Sequence, residues 1–128
     1  MTQLSTSRIP GGFTERTARV NGVTLNYAIG GTGPAVVLLH GYPQTWYMWR
    51  KVMPALAEQY TVYAPAHPGF GTSDSADWME SCDDVARFYL WFMDELGLER
   101  PSVLGHSLGG FVAAELAKLG FTASPVGL

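Results

Sequence analysis

Residues 102–110, SVLGHSLGG, decide the fold of this chain. A short apolar run leads into the motif G-x-S-x-G, with Ser107 at its centre, and a segment rich in small residues follows at 108–119. A tight strand-to-helix turn leaves room only for glycine on either flank of the serine, as at Gly105 and Gly109. Ser107 would then stand at a helix N-terminus, where N–H groups favour negative charge. The motif predicts Ser107 as a nucleophile, supported by Gly105, His106 and Gly109.

The segments upstream of this motif alternate between strands and helices. Apolar runs at 35–39 and 61–64 lack polar alternation, which is typical of strands covered on both faces. Residues 45–60 and 83–96 have helical spacing, although Pro54 must bend or interrupt the first of these helices. The order predicts an α/β fold, with right-handed βαβ units and a mostly parallel sheet.

The N-terminal part predicts an antiparallel hairpin. Residues 16–20 and 23–29 read as strands on either side of Asn21-Gly22, a dipeptide that tolerates the positive φ angles of a tight hairpin turn. Residues 1–13 are rich in polar residues, proline and glycine, and we expect them to form a flexible lead-in to one domain at 14–128.

Composition excludes several functional classes. The chain has 128 residues and 47% hydrophobic residues, enough for the core of one domain. A net charge of −3 offers no basic face for nucleic acid. Cys82 is the only cysteine, so no internal disulfide forms, and no stretch approaches the roughly 20 apolar residues of a membrane span. With no secretory signal either, we expect a cytoplasmic protein that needs no metal and no cofactor.

A second motif, His40-Gly41-Tyr42-Pro43, directly follows the apolar run at 35–39. With it, the sequence resembles the α/β-hydrolase superfamily over about residues 14–119. The resemblance implies an oxyanion hole made by the backbone N–H groups of Tyr42 and Leu108, with His40 and Gly41 supporting the loop. Two such donors, aimed at developing charge, lower a barrier by several kcal/mol, about 2.7–4 for one of them.

The resemblance is closest to one branch of the superfamily, with one change of chemistry. Residues 44–56, QTWYMWRKVMPAL, resemble epoxide hydrolases and dehalogenases, and residues 68–73 resemble the loop after their fourth strand. Those branches use an aspartate nucleophile where this chain has Ser107. A serine implies an acyl-enzyme, as in the hydrolysis of esters, perhydrolysis or the hydrolysis of C–C bonds, and it disfavours epoxide opening. Ala66 stands where that loop commonly carries an acidic residue, and this puts the stability of the turn in doubt.

The general base of the family is missing from its usual place. In the superfamily the acid and the histidine follow the nucleophile, but the twenty-one residues after Ser107 contain no histidine and one acid, Glu115. Glu115 lies two helical turns past the serine and should point away from it. Of the three histidines upstream, His67 is the candidate base, because it follows a strand near the same edge of the sheet.

The chain therefore resembles the first half of a hydrolase, without its later strands and lid. Residues 121–128 look like a shortened sixth strand, which would leave an apolar sheet edge, a template for association. We expect a homo-oligomer formed through that edge or by swapped elements. The loss of the later strands would also leave tryptophans partly exposed, namely Trp46, Trp49, Trp78 and Trp91.

Two functions from different classes remain open. The first is weak hydrolysis of small carboxylic esters through an acyl-enzyme on Ser107, assisted by His67 or by a histidine from another protomer. The second is a non-catalytic half-domain, which needs a partner chain to complete its fold. A cofactor-binding module is a distant third possibility, because the glycines at 30–33 lack G-x-G-x-x-G spacing and no phosphate-loop lysine is present.

Overall fold

A computed structural model describes residues 9–41, 45–69, 73, 81–120 and 125–127, apart from the side chains of Cys82 and of residues 125–127. Within these residues the chain forms one six-stranded mixed sheet with helices on both faces. The strands, numbered in chain order, are β1 Phe13–Val20, β2 Val23–Gly30, β3 Ala35–Leu39, β4 Thr61–Pro65, β5 Ser102–Gly105 and β6 Pro125–Gly127.

The first two strands form the predicted hairpin. Asn21 and Gly22 connect them with φ angles of 47° and 84°, and Val20 pairs with Val23 across the turn. Because both central residues have positive φ, the turn matches the twist of the flanking strands. β2 then pairs antiparallel with β4 and so attaches the hairpin to the rest of the sheet.

The remaining strands confirm the predicted parallel core. The sheet order is β1-β2-β4-β3-β5-β6, and β3 lies between β4 and β5 with parallel pairing on both sides. Val37, for example, pairs with Tyr63 of β4 and with Val103 of β5. The short strand β6 pairs parallel with β5 over three residues, as expected for a shortened sixth strand. The carboxyl ends of β3, β4 and β5 therefore lie at one edge of the sheet.

Four helical segments cross between the strands: a 3₁₀ helix Trp46–Trp49, α1 Met53–Leu56, α2 Cys82–Glu95 and α3 Leu108–Lys118. The helical segment predicted at 45–60 is interrupted, one of the two outcomes expected from Pro54, and it divides into the 3₁₀ helix and α1. Pro54 sits in the first turn of α1, where its missing N–H has no intrahelical acceptor to lose. Pro54 thus lies in the first turn of a helix and does not bend it.

Helix α2 begins at a capping box. The Ser81 hydroxyl accepts a hydrogen bond from the Asp84 N–H at 3.2 Å, and the Asp84 carboxylate accepts one from the Ser81 N–H at 3.3 Å. After the helix, Gly97 adopts a φ of 71°, the left-handed conformation that ends helices. These two signals fix both ends of α2.

Two apolar cores lie on opposite faces of the sheet. In β3, Val37 and Leu39 pack with α2 and α3, while the alternating Val36 and Leu38 pack with the 3₁₀ helix and α1. Both faces of this central strand are thus covered. Exposed large apolar residues remain among those described, namely Val52, Trp91, Phe111 and Leu119.

Two expectations from the sequence concern the tryptophans and the N-terminal segment. Trp46 and Trp49 are only 2% and 5% exposed, so their predicted exposure is wrong, because β2, β3 and β4 are enough to cover them. Trp91 is 37% exposed as expected, and Trp78 lies outside the described residues. Ile9 packs against the second core, and β1 begins at Phe13, the last residue of the predicted lead-in. The rest of the predicted lead-in, residues 1–8, lies outside the described residues.

No helix among the described residues is long and apolar enough to cross a membrane.

Candidate active site

Ser107 occupies a strained turn between β5 and α3. Its φ of 57° and ψ of −117° are unusual for a residue with a side chain, and its side chain is exposed. Although Ser107 is the N-cap residue of α3, its hydroxyl makes no capping hydrogen bond. A serine in this position normally caps the helix, so the turn leaves this hydroxyl available for chemistry.

The glycines beside Ser107 permit close contact between backbones. A Cβ atom on Gly105 would collide with the carbonyl group of Gly109 and would lie 2.7 Å from the Gly110 nitrogen. A Cβ atom on Gly109 would collide with the carbonyl of Leu39 and would lie 2.8 Å from the His40 oxygen. Gly105 is thus required by the tightness of the turn itself, and Gly109 by the contact of the turn with the end of β3.

The turn at residues 105–109, called the elbow below, is also hydrogen-bonded to the end of β3. The His106 N–H donates to the Leu39 carbonyl at 3.0 Å, while the Gly110 N–H donates to the Ser107 carbonyl at 2.9 Å. Leu108 is the first residue of α3, so its N–H has no acceptor within the helix. The Leu108 N–H is the group that the family resemblance implies as one oxyanion-hole donor, and this role stays a prediction. Tyr42, the predicted second donor, lies outside the described residues.

His40 and His67 form a buried pair next to the predicted oxyanion loop. Their ring centroids are 3.8 Å apart, and the side chains are 0% and 2% exposed. The His67 backbone N–H donates to His40 Nε2 at 2.9 Å, and His40 Nδ1 lies 2.7 Å from the Gly41 carbonyl oxygen. The pair joins the loops that follow β3 and β4.

Both ring nitrogens of His67 have partners. Nε2 lies 2.7 Å from the His40 carbonyl oxygen, and Nδ1 lies 2.6 Å from the hydroxyl of Tyr89, which is fully buried on α2. A base role would require His67 to release one of these groups. The sequence indicated a histidine near the edge of the sheet, but it could not show this enclosure, since Tyr89 is 22 residues away along the chain.

Burial keeps both imidazoles neutral. Desolvation lowers the pKa of His67 from 6.5 to about 3, with a further contribution from the charge of His40. Desolvation likewise lowers the pKa of His40 to about 4, opposed by its hydrogen bond to the Gly41 backbone. At neutral pH each ring can therefore donate from one nitrogen and accept at the other.

The other predicted residues lie apart from this pair. His106 is half-buried, and its Nδ1 is a buried atom without a hydrogen-bond partner among the described residues. Glu115 Oε1 lies 3.5 Å from Lys118 Nζ on α3, so this acid is engaged along the helix. The part of the chain that the structure describes holds no group of three or more histidine, cysteine or acidic side chains suited to a metal.

A network that sequence analysis missed holds the loop after β4. The Ser73 hydroxyl donates to the Ala66 carbonyl and accepts from the Asn26 N–H, both at 2.8 Å. The Asn26 side chain accepts from Trp46 Nε1 at 2.7 Å, and the Ala66 N–H donates to the Asn26 carbonyl at 2.9 Å. The Ser73 hydroxyl thus links the Ala66 carbonyl, just after β4, to the backbone of β2. A polar residue inside the apolar strand β2 was the available signal.

A mixed α/β sheet with a serine on a strained strand-to-helix turn, the turn called the nucleophile elbow, is the arrangement typical of the α/β-hydrolase fold. The model of the alpha/beta hydrolase fold family matches residues 34–124. The chain belongs to this family.

Curated relatives match this chain over part of their length. It is 42% identical over 105 residues to a soluble epoxide hydrolase of Corynebacterium sp. (strain C12), covering 79% of this chain and 35% of the relative. It is 39% identical over 113 residues to a fluoroacetate dehalogenase of Burkholderia sp., covering 83% of this chain and 36% of the relative. The chain therefore spans about a third of the length of these relatives.

A solved structure agrees with this assignment. An epoxide hydrolase crystallised without ligand, CorEH, superposes with a TM-score of 0.80 at 36% sequence identity. The match covers 86% of this chain and 39% of that protein. It supports the expected fold class, an α/β-hydrolase core without the later strands.

Proposed function

We propose that this chain is a serine hydrolase that acts on small carboxylic esters. Ser107 Oγ attacks the ester carbonyl and forms a tetrahedral oxyanion, which collapses to an acyl-serine as the alcohol leaves with a proton. Water then attacks the acyl-serine, releases the carboxylic acid and restores the hydroxyl. The observation that carries the proposal is the exposed Ser107 on its strained turn, with no capping bond to occupy its hydroxyl.

In this proposal the oxyanion is stabilised by two backbone donors. The Leu108 N–H lies at the start of α3, where the helix dipole also favours negative charge. The Tyr42 N–H is the second donor that the family resemblance implies. The Gly41 carbonyl belongs to the peptide bond that precedes Tyr42, and this carbonyl oxygen lies 2.7 Å from His40 Nδ1.

The choice of esters over epoxides follows from the nucleophile. An aspartate that opens an epoxide forms an ester, which water can cleave at the carbonyl. A serine that attacked the same carbon would form an ether, which has no carbonyl for water to attack, and the enzyme would not turn over. Ser107 therefore favours acyl transfer, whatever reaction the epoxide hydrolase relatives catalyse.

The base is the incomplete part of this site. The sequence has three histidines: His40 and His67 are buried, and His106 is half-buried on the elbow itself. His67 can act as the base only after Nδ1 leaves Tyr89 or Nε2 leaves the His40 carbonyl. The same histidines on a second copy are no more accessible. An oxyanion hole and binding alone still give about 10³–10⁴-fold catalysis over water, so weak activity is expected.

This arrangement also favours a second candidate, a half-domain completed by a partner. The chain covers 35% and 36% of the length of two relatives. Two of its three histidines are buried and the third, His106, is half-buried, so none of them has a fully exposed side chain. In that case Ser107 and the oxyanion loop form one side of the site, and the acid and the histidine come from other residues.

The test is hydrolysis of p-nitrophenyl acetate by the wild type and by Ser107→Ala. Ser102→Ala is the matched control, because it removes the same atom from β5 without touching the elbow. We expect a slow wild-type rate that Ser102→Ala keeps and Ser107→Ala lowers to the buffer background. Equal rates for the wild type and Ser107→Ala would remove the enzyme function for this chain alone.

Added imidazole separates the two candidates further. If the nucleophile and the oxyanion hole are formed and only the base is missing, free imidazole should raise the rate of the wild type more than that of Ser107→Ala. The rate measured with Ser107→Ala gives the direct reaction of imidazole with the ester, which is subtracted from the wild-type rate. An equal increase in both proteins would mean that Ser107 is not poised for attack.

A further inference from the structure

The tip of the hairpin between β1 and β2 carries a reactive pair of residues. Asn21 and Gly22 are both exposed, and their φ angles are 47° and 84°. A Cβ atom added to Gly22 would meet nothing within 4 Å among the described residues, so the space beside this glycine is open. The turn contributes its backbone conformation to the fold, and no step of the proposed ester reaction uses the side-chain amide of Asn21.

An asparagine that is followed by glycine can cyclise onto the next peptide bond. The backbone nitrogen of the glycine attacks the carbonyl carbon of the side chain, a nitrogen–carbon bond forms, and the carbon–NH₂ bond breaks. Ammonia leaves and takes up the proton of the attacking nitrogen. Water then opens the resulting succinimide ring at one of its two carbonyls, which gives aspartate or isoaspartate. A side chain on the attacking residue would hinder this approach, and glycine has none.

The sequence has one other asparagine, Asn26, and its surroundings are the opposite. Asn26 is 7% exposed in β2, its Oδ1 accepts from Trp46 Nε1 at 2.7 Å, and its Nδ2 donates to Glu15 Oε1 at 3.1 Å. The next residue is Tyr27, which is paired with Arg16 inside the sheet. The side-chain amide of Asn26 is therefore held in place, and the nitrogen that would attack it belongs to a paired strand.

We propose that Asn21 is a site of deamidation, with the Gly22 nitrogen as the internal nucleophile and water as the second reactant. The attack requires the turn to open far enough for the side-chain carbon of Asn21 to reach that nitrogen. An exposed loop tip opens at a lower free energy than the paired strands behind it. The folded chain therefore reacts at Asn21 and leaves Asn26 intact. This site is independent of the ester chemistry proposed for Ser107.

The modification changes both the charge and the main-chain length of the turn. Asn21 lines an open cleft together with Asp94 and Glu95 at the end of α2, so a carboxylate at position 21 adds a third negative charge there. Isoaspartate also places one extra carbon in the main chain. Because the turn sets the register of a hairpin, this carbon disturbs the pairing of Val20 with Val23 and loosens β1.

Peptide mapping of the folded chain after incubation at mildly alkaline pH tests the proposal. We expect conversion of amide to acid at Asn21, as separate aspartate and isoaspartate peptides, and an unmodified Asn26. The conversion should be more than about tenfold faster at pH 8 than at pH 6, because the attacking nitrogen must lose its proton and its deprotonated fraction rises about tenfold per pH unit. An Asn21 that reacts in guanidinium chloride but stays intact in the folded chain would overturn the proposal, as would equal conversion of Asn26.

Hydrogen exchange measures the consequence for β1. Asn21→Gly is the matched control, because it removes the reacting amide and leaves two glycines, which suit the same turn. After incubation the amides of β1 should exchange faster in the wild type than in fresh protein, while Asn21→Gly should show no change and the amides of β3 should be unaffected in both. Asn21→Asp carries the charge without the extra carbon, so it should show less of this increase than the isoaspartate form. Equal exchange of β1 in the incubated wild type and in Asn21→Gly would contradict the loosening of the hairpin.

Discussion

At the scale of single residues, the site depends on backbone contacts that only glycine allows. The G-x-S-x-G motif was sufficient to predict both the turn and its steric reason, because the strain at Ser107 and the lack of space at Gly105 and Gly109 follow from the spacing itself. Local sequence encodes local geometry here, and the structure places these residues as the motif implies.

Gly109→Ala tests this contact. The added methyl would collide with the backbone carbonyl of Leu39, which cannot move like a flexible side chain, so β3 and α3 must separate. We expect a loss of about 1–3 kcal/mol in the free energy of unfolding, measured by urea denaturation. Gly11→Ala is the control, since a Cβ atom there meets nothing within 4 Å. Equal stability of the two variants would contradict the close packing of the elbow.

The role of His67 is a residue-scale feature that the sequence could not supply. From its position after β4 the sequence suggested a histidine accessible at the sheet edge, whereas the side chain is 2% exposed and its ring contacts both His40 and Tyr89. These contacts join residues 27 and 22 positions apart, and no local pattern records them. Buried tyrosine was the available signal, because its hydroxyl requires a partner.

At the scale of elements, hydrophobic runs and turn residues predicted the strands, the hairpin and both long helices. At residues 45–60 the spacing of apolar residues continues, but the helix is interrupted between Trp49 and Met53, just before Pro54. Trp46 and Trp49 are buried in the second core by contacts with other parts of the chain, and these contacts do not require one continuous helix. The spacing of apolar residues shows which side chains point toward the core, but it does not show that they belong to one continuous helix.

The junction between the loops after β3 and β4 makes stability depend on pH. His40 and His67 face each other, and His67 also contacts Tyr89. The pKa values of His40 and His67 in the folded chain are about 4 and about 3, below the unfolded value of 6.5. Below pH 6.5 the unfolded chain therefore binds protons that the folded chain does not, and stability falls as the pH decreases toward 4. Each histidine contributes a loss of about 1.4 kcal/mol per pH unit in this window.

Urea denaturation at several pH values between 7.5 and 4.5 measures this dependence. His67→Gln should reduce the slope of unfolding free energy against pH by about half, since one of the two buried imidazoles is gone. Circular dichroism at each pH shows whether the native baseline is retained. A wild-type slope that His67→Gln leaves unchanged would contradict the assignment of a neutral, buried His67.

At the scale of the whole molecule, the chain spans about a third of the length of the relatives that it matches. Beyond β5 the described sheet has three residues of β6, and on the neighbouring helix α3 Phe111 is 70% and Leu119 50% exposed. An apolar surface next to a short edge strand favours association. We propose that a second copy of this chain covers this face, as the sequence led us to expect.

Sedimentation velocity across a range of concentrations tests this association. We expect the weight-average mass of the wild type to rise with concentration at micromolar levels, and Phe111→Lys to weaken the rise by placing a charge on the apolar face of α3. Val52→Lys is the matched control, because Val52 is 45% exposed beside α1, on the other face of the sheet. A monomeric wild type at these concentrations would overturn the proposal.

The central claim is that Ser107 attacks an ester carbonyl, and the mass of the protein tests it most directly. Without an efficient base the acyl-serine should be hydrolysed slowly, so a single acetyl group should accumulate during incubation with p-nitrophenyl acetate. Intact-mass spectrometry followed by peptide mapping should find that group on Ser107 in the wild type and in Ser102→Ala, and not in Ser107→Ala. Acetylation that spares Ser107, or that occurs equally in Ser107→Ala, would contradict the account.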